Sequence, residues 1–557
     1  MLMKLAFVCS AALLVGFRAN VLLGSLTAER GPISFRATLR SDPVSANGVT
    51  SVIADVGSDR YRFVGRGFEG AAFRNLQAGE RMIGRGSIRS VPLRSWRIAK
   101  GLVGDIDVAS ISYTSRGSLV ARFCNALRRT LLASARHFEP TDRALFSGFV
   151  LGDAREQRVW VTDEFRASGL THLLVVSGQN VAFVLALLKP LLGRFRRQPR
   201  LVLVLGVLAL FAAVTRFEPS VQRAAVMAAL SSGSLTLGRP QGTLRILAAT
   251  VCVLLMYNPL LAWSVGFGLS VGACTGLAVL TPRLECLLRG PTFLRGPLAT
   301  TIGAQAGASL VMVPIFGGVP VVSLLANLVA LPAAEPIMTW GIAVGMPAGL
   351  LSRFLGQWPA RVVHVPTQWC LWFVRVVARI SAQLPLGNVT LVHCGIGLVL
   401  LLAMKRRASK SVVATLGILL FAIPAIVGWI TPPPKGGGEG GSFVLFGVEG
   451  RVARHVDVLI LDHGTYSLDV LAELRHERIR AIDLVIVRSG GRLQRDVLQA
   501  IEARHDIGAV LVAERSFAGP ARPVIEARTQ MIVRAGRQLV EVEAIDSGRL
   551  QVRVSPR

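Results

Sequence analysis

The chain has 557 residues, 52% of them hydrophobic, and a formal net charge of +29. Hydrophobicity on that scale excludes an ordinary string of soluble domains and points to a protein built in part inside a bilayer. Seven scattered cysteines, most in apolar segments and none in a CxxC pair, exclude a disulfide framework or a zinc site.

The charge is unevenly spread. Residues 27–171 hold 22 basic and 14 acidic residues, and residues 442–557 hold 17 and 15. The remaining excess of 19 belongs to the membrane parts and their linker. Positive-inside charge at helix ends accounts for part of it, and the rest suits a polyanionic partner.

In chain order, residues 1–27 are long and apolar enough for an uncleaved transmembrane anchor, with Arg18 as a cost. Residues 28–114 change to short alternating runs at Ile33–Arg40, Val49–Val56, Tyr61–Arg66, Arg81–Arg89 and Ile106–Tyr113, separated by turn residues. Five such strands suit an OB-like β-barrel. Arg60, Arg62 and Arg66 head its candidate DNA-binding surface. Aromatics are few, so base stacking has little support there, and a solvated basic surface is the alternative.

Residues 115–171 are predicted to be an amphipathic helical connector. Leu119, Phe123, Ala126, Leu127, Leu131 and Leu132 share one face, while Arg122, Arg128 and Arg129 lie elsewhere. Such a helix lies along a membrane surface or packs on the barrel.

Residues 172–430 form a membrane block with apolar segments near 173–193, 201–215, 221–237, 245–257, 260–281, 297–315, 319–335, 337–352, 391–404 and 411–430. Several fall short of the ~20 residues of a simple span, so broken or re-entrant helices are expected. Basic clusters at Arg194–Arg197, at Arg239 with Arg245, from Arg283 to Arg295, and at Lys405–Arg407 with Lys410 mark cytoplasmic ends. Alternation then puts both the N-terminal β domain and the tail outside a multi-pass inner (plasma) membrane protein. Residues 356–384 carry Trp and Arg at one level and suit the membrane interface.

The block opens on Thr171–Val181, which places His172, Ser177, Gly178, Gln179 and Asn180 at the start of its first apolar segment. Unsatisfied polar groups in hydrocarbon cost several kcal/mol each, so this is either a capped helix start or a polar turn lining a path through protein. A Pro/Gly linker follows at 431–441. Residues 442–557 then alternate strand and helix patterns, as a small C-terminal α/β domain does.

Several ordered motifs resemble the ComEC family of competence proteins. They are His172-Leu173-Leu174 with Ser177-Gly178, then Phe217–Met227, then Asn258-Pro259 with Gly266–Ser270. Gln305, Pro314 and Ser323–Leu328 with Pro332 complete the set. The resemblance implies a polytopic α-helical membrane protein that passes single-stranded DNA inward during natural transformation. His172, Ser177, Gly178, Asn180, Ser220, Arg223 and Asn327 would then line the DNA path, with Arg223 on phosphate.

The implied partners are single-stranded DNA, membrane lipid and a DNA-receptor protein. A cytoplasmic ATP-driven motor is also implied, since no Gly-rich loop with Lys-Ser/Thr occurs in the chain. Homo-oligomerisation stays open. Gln179-Asn180 stands where many relatives have a His after Ser-Gly. Asn keeps hydrogen-bonding capacity but does not titrate near neutral pH. Glu335 is expected to pair with a basic residue or to lie at the interface.

The family's tail is commonly metallo-β-lactamase-like, with a His- and Asp-rich turn after a strand. Here the strand Ile482–Val487 runs into Arg488-Ser489-Gly490-Gly491-Arg492, so no metal, no cofactor and no enzymatic activity are expected of a degenerate domain over 442–557. His455, His463, His476 and His505 show no ligand spacing. A solute or ion transporter, or a non-conducting assembly scaffold, are the rival functions.

Overall fold

The computed structural model describes residues 14–26, 30–46, 49–356, 358–384, 387–390, 443–449, 454–462, 465–488, 492–513, 523–527, 530–545 and 549–556. The expected spans 391–404 and 411–430, the basic cluster at Lys405–Arg407, the linker 431–441 and the first half of the anchor lie outside the described residues. The chain divides into two compact units, the first holding residues 1–45, 49–157 and 167–426, the second 46–48, 158–166 and 427–557.

In the first unit a short apolar helix, α1 (Leu14–Gly24), precedes a six-stranded sheet. Its strands are β1 (Gly31–Leu39), β2 (Val44–Ala46), β3 (Val49–Val56), β4 (Asp59–Arg66), β5 (Arg81–Arg89) and β6 (Leu102–Ser115). Helix α2 (Gly67–Arg74) follows β4, and α3 (Ser95–Lys100) follows β5. All five expected strands form. The order is β1-β5-β6-β4-β3-β2, with β4–β6 parallel and β1–β5, β5–β6 and β3–β4 antiparallel. β1 also pairs with β3, through Ala37↔Val56, Thr38↔Asp55 and Leu39↔Ala54.

Period-two alternation sends Phe35, Ala37, Leu39, Val52, Ala54, Phe63, Met82 and Ile106 to one core. There Phe35 and Phe63 meet edge to face with ring centroids 4.8 Å apart. Gly84 and Gly86 stand at two register shifts of β5 on β6. A Cβ would come within 2.2 and 2.5 Å of the Ser110 and Asp107 carbonyl oxygens, so only glycine fits these bulges.

The rest of the unit is helical: α4 (Leu119–Ala133), α5 (Pro140–Leu151), α7 (Gly178–Leu192), α8 (Arg197–Val214), α9 (Pro219–Thr236), α10 (Thr243–Tyr257), α11 (Val265–Leu287), α12 (Thr292–Phe316), α13 (Val322–Ala343), α14 (Gly345–Leu351) and α15 (Trp358–Gln383). Among the described residues four helices, α8, α11, α12 and α13, are long and apolar enough to cross a membrane. Short strands β7 (Val319–Pro320) and β8 (Asn388–Val389) pair between α12 and the end of α15.

Two expectations need correction here. Residues 319–335 and 337–352 are not two spans but one helix, α13, that carries Pro332 and Pro336, followed by the short α14. In α4 the expected apolar face is split: Leu131 is buried and Ala126, Leu127 and Leu132 are half-buried, but its N-terminal end, Leu119 and Phe123, is turned outward. Cys124, Asn125, Arg128, Thr130 and Leu131 are buried, whereas Leu119, Val120 and Phe123 are exposed.

α11 and α12 form a close hairpin because Gly272 and Gly276 face Gly303 and Gly307. Cβ atoms at Gly276 and Gly307 would stand 2.1 Å from the carbonyl oxygens of Gly303 and Gly272.

In the second unit, β9 (Phe443–Glu449), β10 (Arg454–Leu461), β11 (Ile479–Val487), β12 (Asp506–Val512) and β13 (Val524–Glu526) form a sheet of order β13-β12-β11-β10-β9. It is parallel except for β9. Helices α16 (Ser467–His476) and α17 (Arg492–Glu502) bury Val470, Leu474, Val497 and Ile501 with Leu459, Val485 and Val510 in one core. A second core joins β10, β11 and β12 to an antiparallel sheet of β14 (Gln530–Ala535), β15 (Gln538–Ile545) and β16 (Arg549–Pro556).

Helix α6 (Val159–Ala167) belongs almost entirely to this unit. Its Asp163 pairs with Arg475, and its Glu164 lies 3.2 Å from Arg504.

Candidate functional site

The polar opening stretch lies where several helix ends meet. Gly152, at φ 67°, closes α5, and its amide donates to the Gly148 and Ser147 carbonyls. Gly169, at φ 74°, lies so close to α13 that a Cβ would stand 2.3 Å from that of Ser323. The chain then makes a short 3-10 turn, Thr171–Leu173. Leu173, Leu174 and Val176 turn inward, while His172 is exposed.

Ser177 has extended backbone and caps α7. Its Oγ accepts from the Gln179 amide at 3.2 Å and lies 3.2 Å from Asn180 Oδ1, to which it donates. Asn180 is fully buried, and its Nδ2 donates to the Phe149 carbonyl at 2.9 Å, which ties α7 to α5. From α9, Ser220 Oγ donates to the Val176 carbonyl at 2.7 Å.

Arg223, one turn further along α9, is only 6% exposed. Its Nε donates to Ser270 Oγ of α11 at 2.5 Å, and its Nη1 reaches Met227 Sδ at 3.0 Å. Gly178 makes room for it, since a Cβ there would stand 2.7 Å from Nη2. Among the described residues Arg223 forms no ion pair, so a buried cation is left with a hydroxyl, a thioether and a glycine around it.

The fold thus brings Ser177, Gly178, Asn180, Ser220 and Arg223 into one group, where α7, α9 and α11 meet. His172 and Asn327 form no hydrogen bond with that group. Asn327 is buried on α13, and its Oδ1 has no hydrogen-bond partner. One turn before it, Ser323 accepts from Gln305 of α12 at 2.7 Å. Glu335 accepts a 2.6 Å hydrogen bond from Gln179, so its observed partner is an amide and not a base.

On the β domain, Arg60 is used by the fold itself, donating to Asp55 and to the Lys100 carbonyl, each at 2.9 Å. Arg62 lies 5.8 Å from the Trp96 ring. Arg66 is exposed.

Sequence reasoning missed a buried ion network. Arg128 of α4 donates to Asp153 at 3.0 Å, to the Val214 carbonyl at 2.9 Å and lies 3.1 Å from Asp42. Asp42 also takes a fork from Arg216, and Arg155 holds Asp153. Burial alone raises the Asp42 carboxyl, but the charges of Arg128 and Arg216 overcome it and hold it down at about 2. No periodicity announces such a network, because its members come from four separate loops and helices.

In the tail, Arg488 donates to Asp462 at 2.9 Å and to the Leu550 carbonyl at 3.2 Å, so a guanidinium engages the carboxylate at the end of β10. His463 and residues 489–491 lie outside the described residues. At the other end of the strands, His455, Asp457 and Asp483 bring ligand-type atoms within 4.8 Å of one another. Linear spacing hides this group, since Asp483 comes from the neighbouring strand. His455 already pairs with Asp483 at 2.9 Å, and Asp457 accepts from the Arg537 amide at 3.1 Å.

Residues 149–409 match the family model described as Competence protein. The chain is similar to ComE operon protein 3 of Bacillus subtilis (strain 168), 25% identical over 325 residues, which is 54% of this chain and 40% of that protein. It is also similar to Competence protein ComA of Neisseria gonorrhoeae, 24% identical over 483 residues, 81% of this chain and 66% of that protein. The matches therefore span less than two thirds of either relative. No solved structure matches the chain significantly.

Proposed function

We infer from the place of this chain in the ComEC family of competence proteins that it acts in DNA uptake during competence, and we propose that it is the membrane channel through which single-stranded DNA enters the cytoplasm. The observation that carries the reading is Arg223. A buried guanidinium without a carboxylate is costly unless something anionic visits it. A passing phosphate backbone supplies that charge repeatedly and without regard to sequence.

Ser177, Gly178 and Ser220 hold the helix ends that place Arg223, and Asn180 fixes α7 to α5. Asn327, with an unused buried carbonyl oxygen, would offer a weaker polar contact further along the path. His172, exposed just before Ser177, would face the path.

We read the β domain as OB-like. The pairing of β1 with both β5 and β3, and the parallel pairing of β4 with β6, support that reading. In this scheme both the β domain and the tail stand outside the inner membrane, and Arg66 is the most available of the three arginines for strand contact. α15, with Trp358, Trp369 and Trp372 exposed, lies at the interface. A cytoplasmic motor pulls, a DNA receptor delivers the strand, and the tail performs no metal chemistry.

The test is internalisation of labelled DNA in cells carrying Arg223→Ala or Arg223→Lys at parental protein levels. Loss of one phosphate contact should lower uptake at least about tenfold for Ala, equally for all sequences, with partial recovery for Lys. Undiminished uptake by the Ala variant would sink the proposal.

A further inference from the structure

At the start of α4 a cleft of about 470 Å³ is lined by Glu80, Arg116, Leu119, Arg122, Phe123 and Arg129, among others. Three guanidinium groups share it with one carboxylate. Glu80 already accepts from the Gln77 amide at 3.0 Å, and Arg129 donates to Gln77 Oε1 at 3.2 Å. Arg116 and Arg122 are exposed, and their guanidinium groups make no hydrogen bond or ion pair with other described residues.

Beside these charges Leu119, Val120 and Phe123 expose 78%, 68% and 55% of their surface. A helix on a wholly aqueous surface has little reason to turn these outward while burying Asn125 and Arg128. The level of the cleft follows from Arg128, which bonds the Val214 carbonyl at the end of α8, a helix long enough to cross the bilayer. Five residues at 1.5 Å each put Phe123 about 8 Å along α4 from that point, comparable with the depth of a headgroup layer.

We propose that this cleft holds the headgroup phosphate of an anionic phospholipid, with the first carbons of its acyl chains lying on Leu119, Val120 and Phe123. Guanidinium groups match phosphate oxygens in pairs, and the apolar trio is what a chain-bearing anion covers and a bare one does not. A nucleic-acid strand would satisfy the arginines but leave two aliphatic side chains uncovered and find one ring to stack on. The proposal rests on the membrane placement of the chain and not on what the channel carries, so a failed DNA-uptake test leaves it standing.

The experiment uses the full chain in detergent. Retention of phosphatidylglycerol is compared with that of phosphatidylcholine of the same acyl chains by native mass spectrometry. Arg116→Gln/Arg122→Gln/Arg129→Gln should reduce the preference for the anionic lipid at least about tenfold. Leu119→Gln/Phe123→Gln should also weaken retention, and Arg36→Gln/Arg85→Gln, exposed on the sheet, should not. Should the triple variant fail to fold, Arg122→Gln alone is scored in the same way.

An unchanged preference in the arginine variant overturns the proposal. So does equal competition by sn-glycerol 3-phosphate, which would mean phosphate recognition alone. Displacement of the lipid by a short single-stranded oligonucleotide at equal phosphate would assign the cleft to nucleic acid instead.

Discussion

Asp42 and Arg216 stand 174 positions apart and meet in a two-pronged ion pair, Nε to Oδ2 at 3.1 Å and Nη2 to Oδ1 at 2.9 Å. Asp42 belongs to the turn after β1, Arg216 to the turn between α8 and α9. Arg216 and Phe217 both adopt positive φ, 61° and 54°, a conformation that side chains other than glycine take only when their surroundings impose it. The β domain thus grips the turn that leads into Ser220 and Arg223. Arg128 completes the grip from α4.

Asp42→Asn should accordingly cost about 3 kcal/mol, because it leaves Arg128 and Arg216 short of a buried counter-charge. Thermal unfolding in detergent reads it, and a melting temperature within a degree of the parent would refute the linkage. The wild-type pair also predicts a pH window. The folded carboxyl titrates at about 2, below its unfolded value near 4, so its contribution is present above pH 4 and drains away as pH falls toward 2. That contribution is about 2 kcal/mol.

The α11–α12 hairpin gives a sharper steric test. A methyl group at Gly276 meets the Gly303 carbonyl at 2.1 Å, and backbone has no soft end to move aside. Gly276→Ala should destabilise by about 1–3 kcal/mol and lower the yield of folded protein. Gly206→Ala in α8 meets nothing within 4 Å and should be neutral or stabilising by up to about 1 kcal/mol. Equal behaviour of the two variants in a melting experiment would show that the glycine contact is not what holds the pair.

How much of this could be read in advance depends on the kind of signal. β1, β3, β4, β5 and β6, and the alternating strands and helices of the tail, rest on local periodicity, which survives without tertiary knowledge. α4 shows the limit. Leu119 and Phe123 do share a stripe with Leu131, but only the C-terminal part of that stripe faces protein, and the burial of Arg128 and Asn125 beside it is nothing that periodicity announces. Pro332 and Pro336 suggest a break, yet α13 runs through both, because neighbouring helices in a membrane block re-satisfy the freed backbone groups. The candidate site residues were legible as chemistry that does not belong in hydrocarbon. The contacts of Arg223 with Ser270 and Gly178 were not, since they join segments some 45 residues apart in the chain.

The tail carries its own titration. His505 is held down to about 4 by burial, then by the charge of Arg504, against the pull of Asp163, Asp506 and a backbone hydrogen bond at Ile479. A depressed histidine stabilises the fold above its unfolded value near 6.5 and loses that share as pH falls through 6.5 toward 4. The second unit should therefore weaken in a higher pH range than the Asp42 network, by about 2 kcal/mol once its partial exposure is allowed for. Hydrogen exchange on β10 and β11 at pH 7, 5 and 4 measures it. Protection on these strands that stays flat while His505→Gln shows the same profile would contradict the assignment.

The proposal that the tail performs no metal chemistry rests on what its described polar groups already do. Asp462 is engaged by Arg488, a side chain that offers no lone pair and repels a cation. His455 and Asp483 pair with each other, so an ion held by His455 Nε2 would have to displace that contact, and the Arg537 amide already occupies one oxygen of Asp457. The full chain, purified without chelator, should carry less than about 0.1 zinc or manganese per molecule, and added metal should leave its melting temperature unchanged, since a ligand that binds only the folded form raises it. Stoichiometric metal that disappears in His455→Ala would place a working site at the strand starts. Metal that survives this change but is lost in Asp462→Ala would place it at the strand ends, against the reading of Arg488 as a replacement for a ligand.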